Sequence, residues 1–272
     1  MFAIATTPEA SRARWLLAVA VLVAIACGWY GPIAQWADYH EFADLRPWLG
    51  IPNAANVLSN APFAFIGAWG LWVLLRRQRV TNGVSIESPW VLFCVALIFT
   101  ALGSALYHWT PDNRLLITDR LPIAWACATL LCAFLAERVN ARWASPWVLA
   151  LGWVLATLSV LHWVWTEHRS QGDLRAYLFV QFLPMLLIPL ALGLRLKPLR
   201  SDAVPAALWW LVLGFYALAK VMEMADRWIF DATQFTSGHT LKHLLAAASA
   251  ACLVHALARR GQVLDNARGH PG

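Results

Sequence analysis

Two histidines four residues apart, His239 and His243, open the last apolar run of this 272-residue chain. In a helix that spacing stacks both imidazoles on one face, so they can converge on one ion. A third histidine, His108, closes an earlier apolar run. Three protein ligands and a water make the open arrangement of catalytic zinc. Such an ion lowers the pKa of its water to about 7 and generates hydroxide at neutral pH. A histidine pair of this spacing can arise by chance. The weight comes from the third histidine on the same side of the membrane, since ionisable groups at membrane depth are costly. The plainer alternative is a set of interfacial histidines facing water.

Ser104 lies one turn before His108 and shares its face, where a hydroxyl could donate to a developing oxyanion. Serine is also an ordinary packing residue of membrane helices. Asp119 stands just inside the next apolar run, where a carboxylate could take a proton from the activated water. Its other roles would be a helix N-cap or a pair with Arg120. The stretch Asp38-Tyr39-His40-Glu41-Phe42-Ala43-Asp44 is rich in oxygen and would suit a hard cation such as calcium. Its spacing is not that of an EF-hand, and a solvated acidic loop is an equal reading. Among the other histidines, His162 and His168 could line a pocket mouth. His255 falls at the opposite end, His40 in the acidic loop and His270 in the tail.

These residues sit in a chain that is 60% hydrophobic and 13% charged. Soluble domains have roughly 45–50% and about 25%. The contrast excludes an ordinary soluble enzyme, and it excludes disorder, which needs low hydrophobicity and high net charge. The 17 tryptophans fit a protein with membrane–water interfaces. The net charge of +6 lies in short clusters between apolar runs, with no basic stripe for nucleic acid. Cys27, Cys94, Cys127, Cys132 and Cys252 all fall inside apolar runs and are odd in number, so they read as small hydrophobes.

A membrane helix needs about 20 apolar residues. Eight runs qualify: Arg14–Ala34, Ala55–Leu75, Pro89–His108, Leu116–Ala136, Pro146–Thr166, Leu174–Leu194, Val204–Met224 and Gly238–Ala258. Short connections join them into one bundle, without an internal repeat. Basic residues alternate with them. Arg12 and Arg14 precede the first run; Arg76, Arg77 and Arg79 fill the second connection; Arg138 and Arg142 the fourth; Arg195, Lys197 and Arg200 the sixth; Arg259 and Arg260 follow the last. The odd connections are acidic or balanced. By the positive-inside rule both termini are cytoplasmic, and the three histidines, the serine and the carboxylates collect on the other side. The arginines before the first run could mark a signal peptide. The run is long, however, and Gly31-Pro32-Ile33-Ala34 extends it, so a retained helix is expected.

The sequence resembles the alkaline ceramidase family of the CREST group of membrane hydrolases and receptors. The resemblance rests on Asp38-Tyr39-His40-Glu41, Asn56-Val57-Leu58-Ser59-Asn60 and Gly103-Ser104-Ala105-Leu106-Tyr107-His108. Asp119-Arg120-Leu121-Pro122 and Ser237-Gly238-His239-Thr240-Leu241-Lys242-His243 complete it. It implies an all-α, polytopic membrane bundle with a seven-helix core, here over 35–258; the apolar and charge patterns add a cytoplasmic segment 1–13, a helix 14–34 additional to that core, and a polar, Gly-containing, disordered tail 259–272. It implies zinc on His108, His239 and His243, catalysis by Ser104 and Asp119, and hydrolysis of the ceramide amide to a fatty acid and a sphingoid base. It also implies calcium near the zinc. Asp38, Tyr39 and Glu41 match that loop, while Ala43 replaces an Asn, Asn53 replaces a Glu and Asp44 could compensate.

The reading is therefore a zinc-dependent amide hydrolase acting on a membrane lipid, with no nucleic-acid partner. The rival is a lipid receptor of the same group with a structural zinc. A receptor has no need of a proton acceptor such as Asp119 beside an open metal position. A transporter is disfavoured because no repeat or Gly/Pro-broken helix pair is present. Glu223 and Asp226 lie close to the expected site without an assigned role.

Overall fold

The computed structural model describes residues 8–76 and 86–268, with side chains described from Arg12 to Arg260 outside that gap. Arg77, Arg79, residues 1–7 and the tail end with His270 lie outside the described residues. The chain is an integral membrane protein: among the described residues eight helices are long and apolar enough to cross a bilayer, as the apolar runs imply. In chain order the helices are α1 (Pro8–Tyr30), α2 (Ala54–Leu58), α3 (Ala61–Leu75), α4 (Ser88–Trp109), α5 (Leu116–Arg138), α6 (Pro146–Glu167), α7 (Arg175–Gly193), α8 (Ala206–Met224), α9 (Asp226–Thr233) and α10 (Gly238–Arg268). No strand occurs among the described residues.

Three boundaries differ from expectation. The first helix stops at Tyr30 and does not run on through Ala34. Gly31 takes φ +92°, a left-handed stop, and Pro32 follows it with no N–H to continue a helix. The second run is broken at Ser59–Asn60 into α2 and α3. There the Ser59 hydroxyl and the Asn60 amide both donate to the Asn56 carbonyl, at 3.1 and 2.8 Å, competing with the helical ladder. At the other end, α10 runs to Arg268, past Ala258 where the last apolar run was expected to end.

The core lies between α3, α4, α5, α7, α8 and α10, with Trp90, Phe134 and Trp209 buried together. Phe134 meets Trp209 edge-on at 5.1 Å between ring centroids. At the same end Glu137 is buried but fully engaged. It accepts from Trp90 Nε1 at 3.0 Å, Val204 N at 2.9 Å and Arg260 Nη2 at 2.5 Å. A buried carboxylate is tolerable only with such partners.

The opposite end holds the polar cluster, and two close approaches shape it. A Cβ on Gly103 would meet the Thr118 carbonyl oxygen at 1.9 Å, so only glycine lets α4 lie this near α5. The Thr118 hydroxyl donates to the Gly103 carbonyl at 2.9 Å across that contact. A Cβ on Gly238 would meet the Met222 carbonyl oxygen at 2.0 Å, so the start of α10 presses into the turn between α8 and α9. The additional helix α1 lies against α7. Arg175 caps α1, donating to the carbonyls of Cys27 at 3.1 Å and Gly28 at 3.2 Å. All five cysteines are free, and Cys94, Cys127 and Cys132 are buried.

Candidate metal centre

His108 ends α4, and His239 and His243 occupy the first two turns of α10. The structure brings all three together. Their ring centroids form a near-equilateral triangle with sides of 4.8, 4.9 and 4.8 Å. One nitrogen from each lies within 4.8 Å of the others, and the residues are only 1, 7 and 4% exposed. Among the described residues this is the group of histidine, cysteine and carboxylate side chains able to gather on an ion.

The ring nitrogens tell the rest. His108 Nε2 and His239 Nε2 face each other at 3.2 Å. His243 Nδ1 is 2.8 Å from the Ser59 hydroxyl, which itself donates to the Asn56 carbonyl. With its proton committed there, Ser59 can only accept, so His243 carries its hydrogen on Nδ1 and turns a lone pair on Nε2 inward. This is the outer hydrogen bond that fixes the tautomer of a metal-ligating histidine. The break between α2 and α3 thus has a use: it puts Ser59 under His243. Phe42 covers the triad from the loop before α2, 4.7 Å from the His108 ring and 4.5 Å from His239. Three converging neutral nitrogens on two helices fit zinc, whose structural preference is for such N donors.

Asp119 and Ser104 meet beside this triad. Both are buried, and the Ser104 hydroxyl lies close enough to the Asp119 carboxylate to stabilise its charged form. The close passage at Gly103 makes that meeting possible. Asp119 Oδ1 is buried without a hydrogen-bond partner among the described residues. Arg120 turns away from Asp119 into an aromatic cage, over Trp163 at 4.1 Å, Tyr39 at 5.1 Å and Tyr177 at 5.2 Å, and donates to Gln35. An Asp119–Arg120 pair is thus replaced by cation–π contacts.

The residues proposed for calcium do not gather. Asp44 gives both carboxylate oxygens to Arg46, Oδ1 to Nε and Oδ2 to Nη2, each at 2.8 Å. The hydrogen-bonded guanidinium holds the Asp44 carboxyl below the usual carboxylate range. Arg46 also donates to the carbonyls of Gln234 and Phe235, tying the loop to the α9–α10 turn. Asn53 turns its amide nitrogen to the His108 carbonyl at 2.9 Å. Asp38, Tyr39 and Glu41 remain in the loop, and burial raises the Tyr39 phenol above its usual range. Asp44, the residue that could compensate for Ala43 and Asn53, is thus taken up by a guanidinium and is not free for a hard dication.

Other residues take roles that spacing did not suggest. Asp226 caps α10, accepting from His239 N at 2.7 Å with Oδ1, and holds Ala43 N at 2.9 Å with Oδ2. Glu223 is bonded to Lys220 and, at 2.7 Å, to Lys242. His40 bridges the Tyr107 hydroxyl and Asn113, each at 2.9 Å, so it braces the loop and is not a free surface residue. His162 pairs with Asp173 at 3.2 Å, and His255 packs beside Trp69. Lys242 and Ser59 lay inside motifs already noticed; nothing but the fold reveals what they face.

Residues 50–264 match a family model described as Ceramidase, a span that takes in the triad, Ser104 and Asp119. No curated protein matches the chain.

Proposed function

This chain belongs to the ceramidase family and so hydrolyses a lipid amide; from that premise we propose that its three histidines hold zinc and that its substrate is ceramide or a related N-acyl lipid. The observation that carries the zinc assignment is the pair of Nε2 atoms 3.2 Å apart with His243 completing the triangle. Bound zinc would supply Lewis acidity at the substrate carbonyl and lower the pKa of water to about 7.

The protein's own residues supply the proton path. Asp119, with one oxygen unpartnered, takes the proton of the attacking water. Once Asp119 is protonated it no longer needs the Ser104 proton, and the hydroxyl is released to donate to the oxygen that carries the developing charge. Asp119 then returns its proton to the amide nitrogen as the carbon–nitrogen bond breaks, giving a carboxylic acid and an amine. Phe42 on the triad keeps bulk water off that face.

Purified protein in vesicles containing N-palmitoylsphingosine should release palmitate and sphingosine in equal amounts, read by mass spectrometry of the extract. A zinc chelator should stop release, and zinc should restore it. Release unaffected by complete removal of zinc would overturn the metal assignment; intact ceramide beside hydrolysis of another N-acyl lipid would overturn the substrate.

The arginine alternation supports a site on the non-cytoplasmic side, with both termini in the cytoplasm. Leu45 is exposed in the loop next to the site and Lys197 is exposed between α7 and α8. In intact cells an impermeant thiol reagent should label Leu45→Cys and spare Lys197→Cys. The reverse pattern would move the reaction to the cytoplasmic face.

A further inference from the structure

Beside the triad lies a second charged group that the hydrolytic steps do not use. Lys220 and Glu223 belong to the last two turns of α8, and Lys242 lies on α10 between His239 and His243. Glu223 gives one oxygen to each lysine: Oε2 to Lys220 and Oε1 to Lys242. The three side chains are 35, 23 and 20% exposed, so they are partly shielded and partly accessible. Lys242 Nζ stands 3.4 Å from His239 Nε2, the nitrogen that faces His108. Lys220 Nζ reaches 5.7 Å from the ring of Phe182 on α7.

The charges do not balance. One carboxylate, Glu223, holds two ammoniums. The next carboxylate that Lys242 senses is Asp119, which has Arg120 as its own neighbour. Asp226 is nearby, but its two oxygens are turned to the backbone N–H groups of His239 and Ala43. Within hydrogen-bond contact two ammoniums therefore share a single carboxylate, an excess of one positive charge in the triplet itself, while Asp226 keeps its charge one turn away. Each ammonium also has three donors. Among the described residues Lys220 has Glu223 as its acceptor, and Lys242 has Glu223 and a nitrogen that the metal would claim. Surplus charge and surplus donors in a partly desolvated site are costly unless a ligand brings the opposite charge.

We propose that Lys220 and Lys242, spaced by Glu223, form an anion subsite for the non-acyl end of the substrate, so that the preferred lipid carries a carboxylate, phosphate or sulfonate close to the amide nitrogen. This deepens the hydrolase assignment and rests on the triad as the reaction centre. A neutral sphingoid head group would leave the surplus charge in place. An anionic one would be drawn in, and would hold the amide next to the triad because Lys242 is flanked in sequence by two of its histidines. Charge complementarity of this kind gives specificity more than raw affinity.

The test compares matched lipids on the zinc-loaded, full-length protein. N-palmitoylglycine is set against N-palmitoylethanolamine, and ceramide phosphate against ceramide. The anionic member of each pair should have the higher kcat/KM by about tenfold or more. Lys220→Gln should collapse that ratio and Lys220→Arg should retain it, a pattern that a merely structural role would not produce. Binding of the same lipids, measured by calorimetry in detergent, should show the same ratio in Kd. That second readout decides the matter if turnover is absent: preserved anion preference keeps the subsite and removes the reaction assignment instead. Equal handling of both members by the unaltered protein would overturn the proposal. So would inhibition by free palmitate that depends on Lys220 while the paired lipids stay at parity, since the subsite would then belong to the product carboxylate.

Discussion

The double variant His239→Ala, His243→Ala should contain almost no zinc, against about one zinc per chain in the unaltered protein, and should release no fatty acid. Two of three ligands are gone, and the remaining His108 cannot hold an ion alone. The loss should be graded by position. Ser59→Ala removes only the group that fixes His243 in its Nδ1–H form. Such outer partners typically cost about 10–100-fold in metal affinity or activity. Ser59→Ala should therefore keep zinc at high zinc concentration and lose it in a chelator titration well before the unaltered protein does. Elemental analysis of protein purified in defined zinc distinguishes these cases. Full zinc occupancy in the double variant would sink the assignment. A Ser59→Ala protein with unaltered affinity would leave the triad but remove the tautomer argument.

The contrast between these residues marks what could be seen without a structure. His239 and His243 were legible because helical spacing alone places them on one face, and His108 because charge alternation places its helix end on their side. Asp119 was legible as a carboxylate too deep to be free. Ser59 was not, although it lies in the Asn56–Asn60 block, because nothing local says that α2 stops there. The break arises from side chains competing for the Asn56 carbonyl, and its consequence appears only when α10 is packed alongside.

Asp226 and Asp44 show the same limit from the other direction. Both look like ligand carboxylates in a string of letters. One is used up as the cap of α10 and the other by a guanidinium two residues away. Whether an acidic side chain is available to a metal depends on which cation reaches it first, and for Asp44 that cation is Arg46, two residues on. The short helix α9 escaped notice for a related reason: at Asp226–Thr233 it is too short and too polar for a span, and its buried residue is Ile229 alone. The stop at Gly31–Pro32 was misjudged because an apolar run was taken to extend a helix across residues that end one.

Asp119→Asn should leave zinc bound and cut turnover strongly, and it isolates the proton step from everything else at the site. The substitution keeps the size of the side chain, and an amide oxygen can still accept from Ser104, so the contact of α4 with α5 across Gly103 is retained. Arg120 is held by Gln35 and its aromatic cage, not by Asp119, so it should not swing into the gap. What is lost is basicity: a neutral amide cannot take the proton of the attacking water. General-base contributions of this kind are typically about 10²–10⁴-fold, and the loss should fall on kcat with KM little changed. Ser104→Ala should cost on the order of 10²–10³-fold, as loss of an oxyanion donor does. Because the proposed relay makes the two groups act together, the double variant should be little worse than Asp119→Asn alone. Additive losses would mean that Ser104 and Asp119 work independently and would break the relay. Unchanged hydrolysis by a zinc-loaded Asp119→Asn protein would go further, and would move the base to another carboxylate at the site, of which Glu223 is the one joined to Lys242.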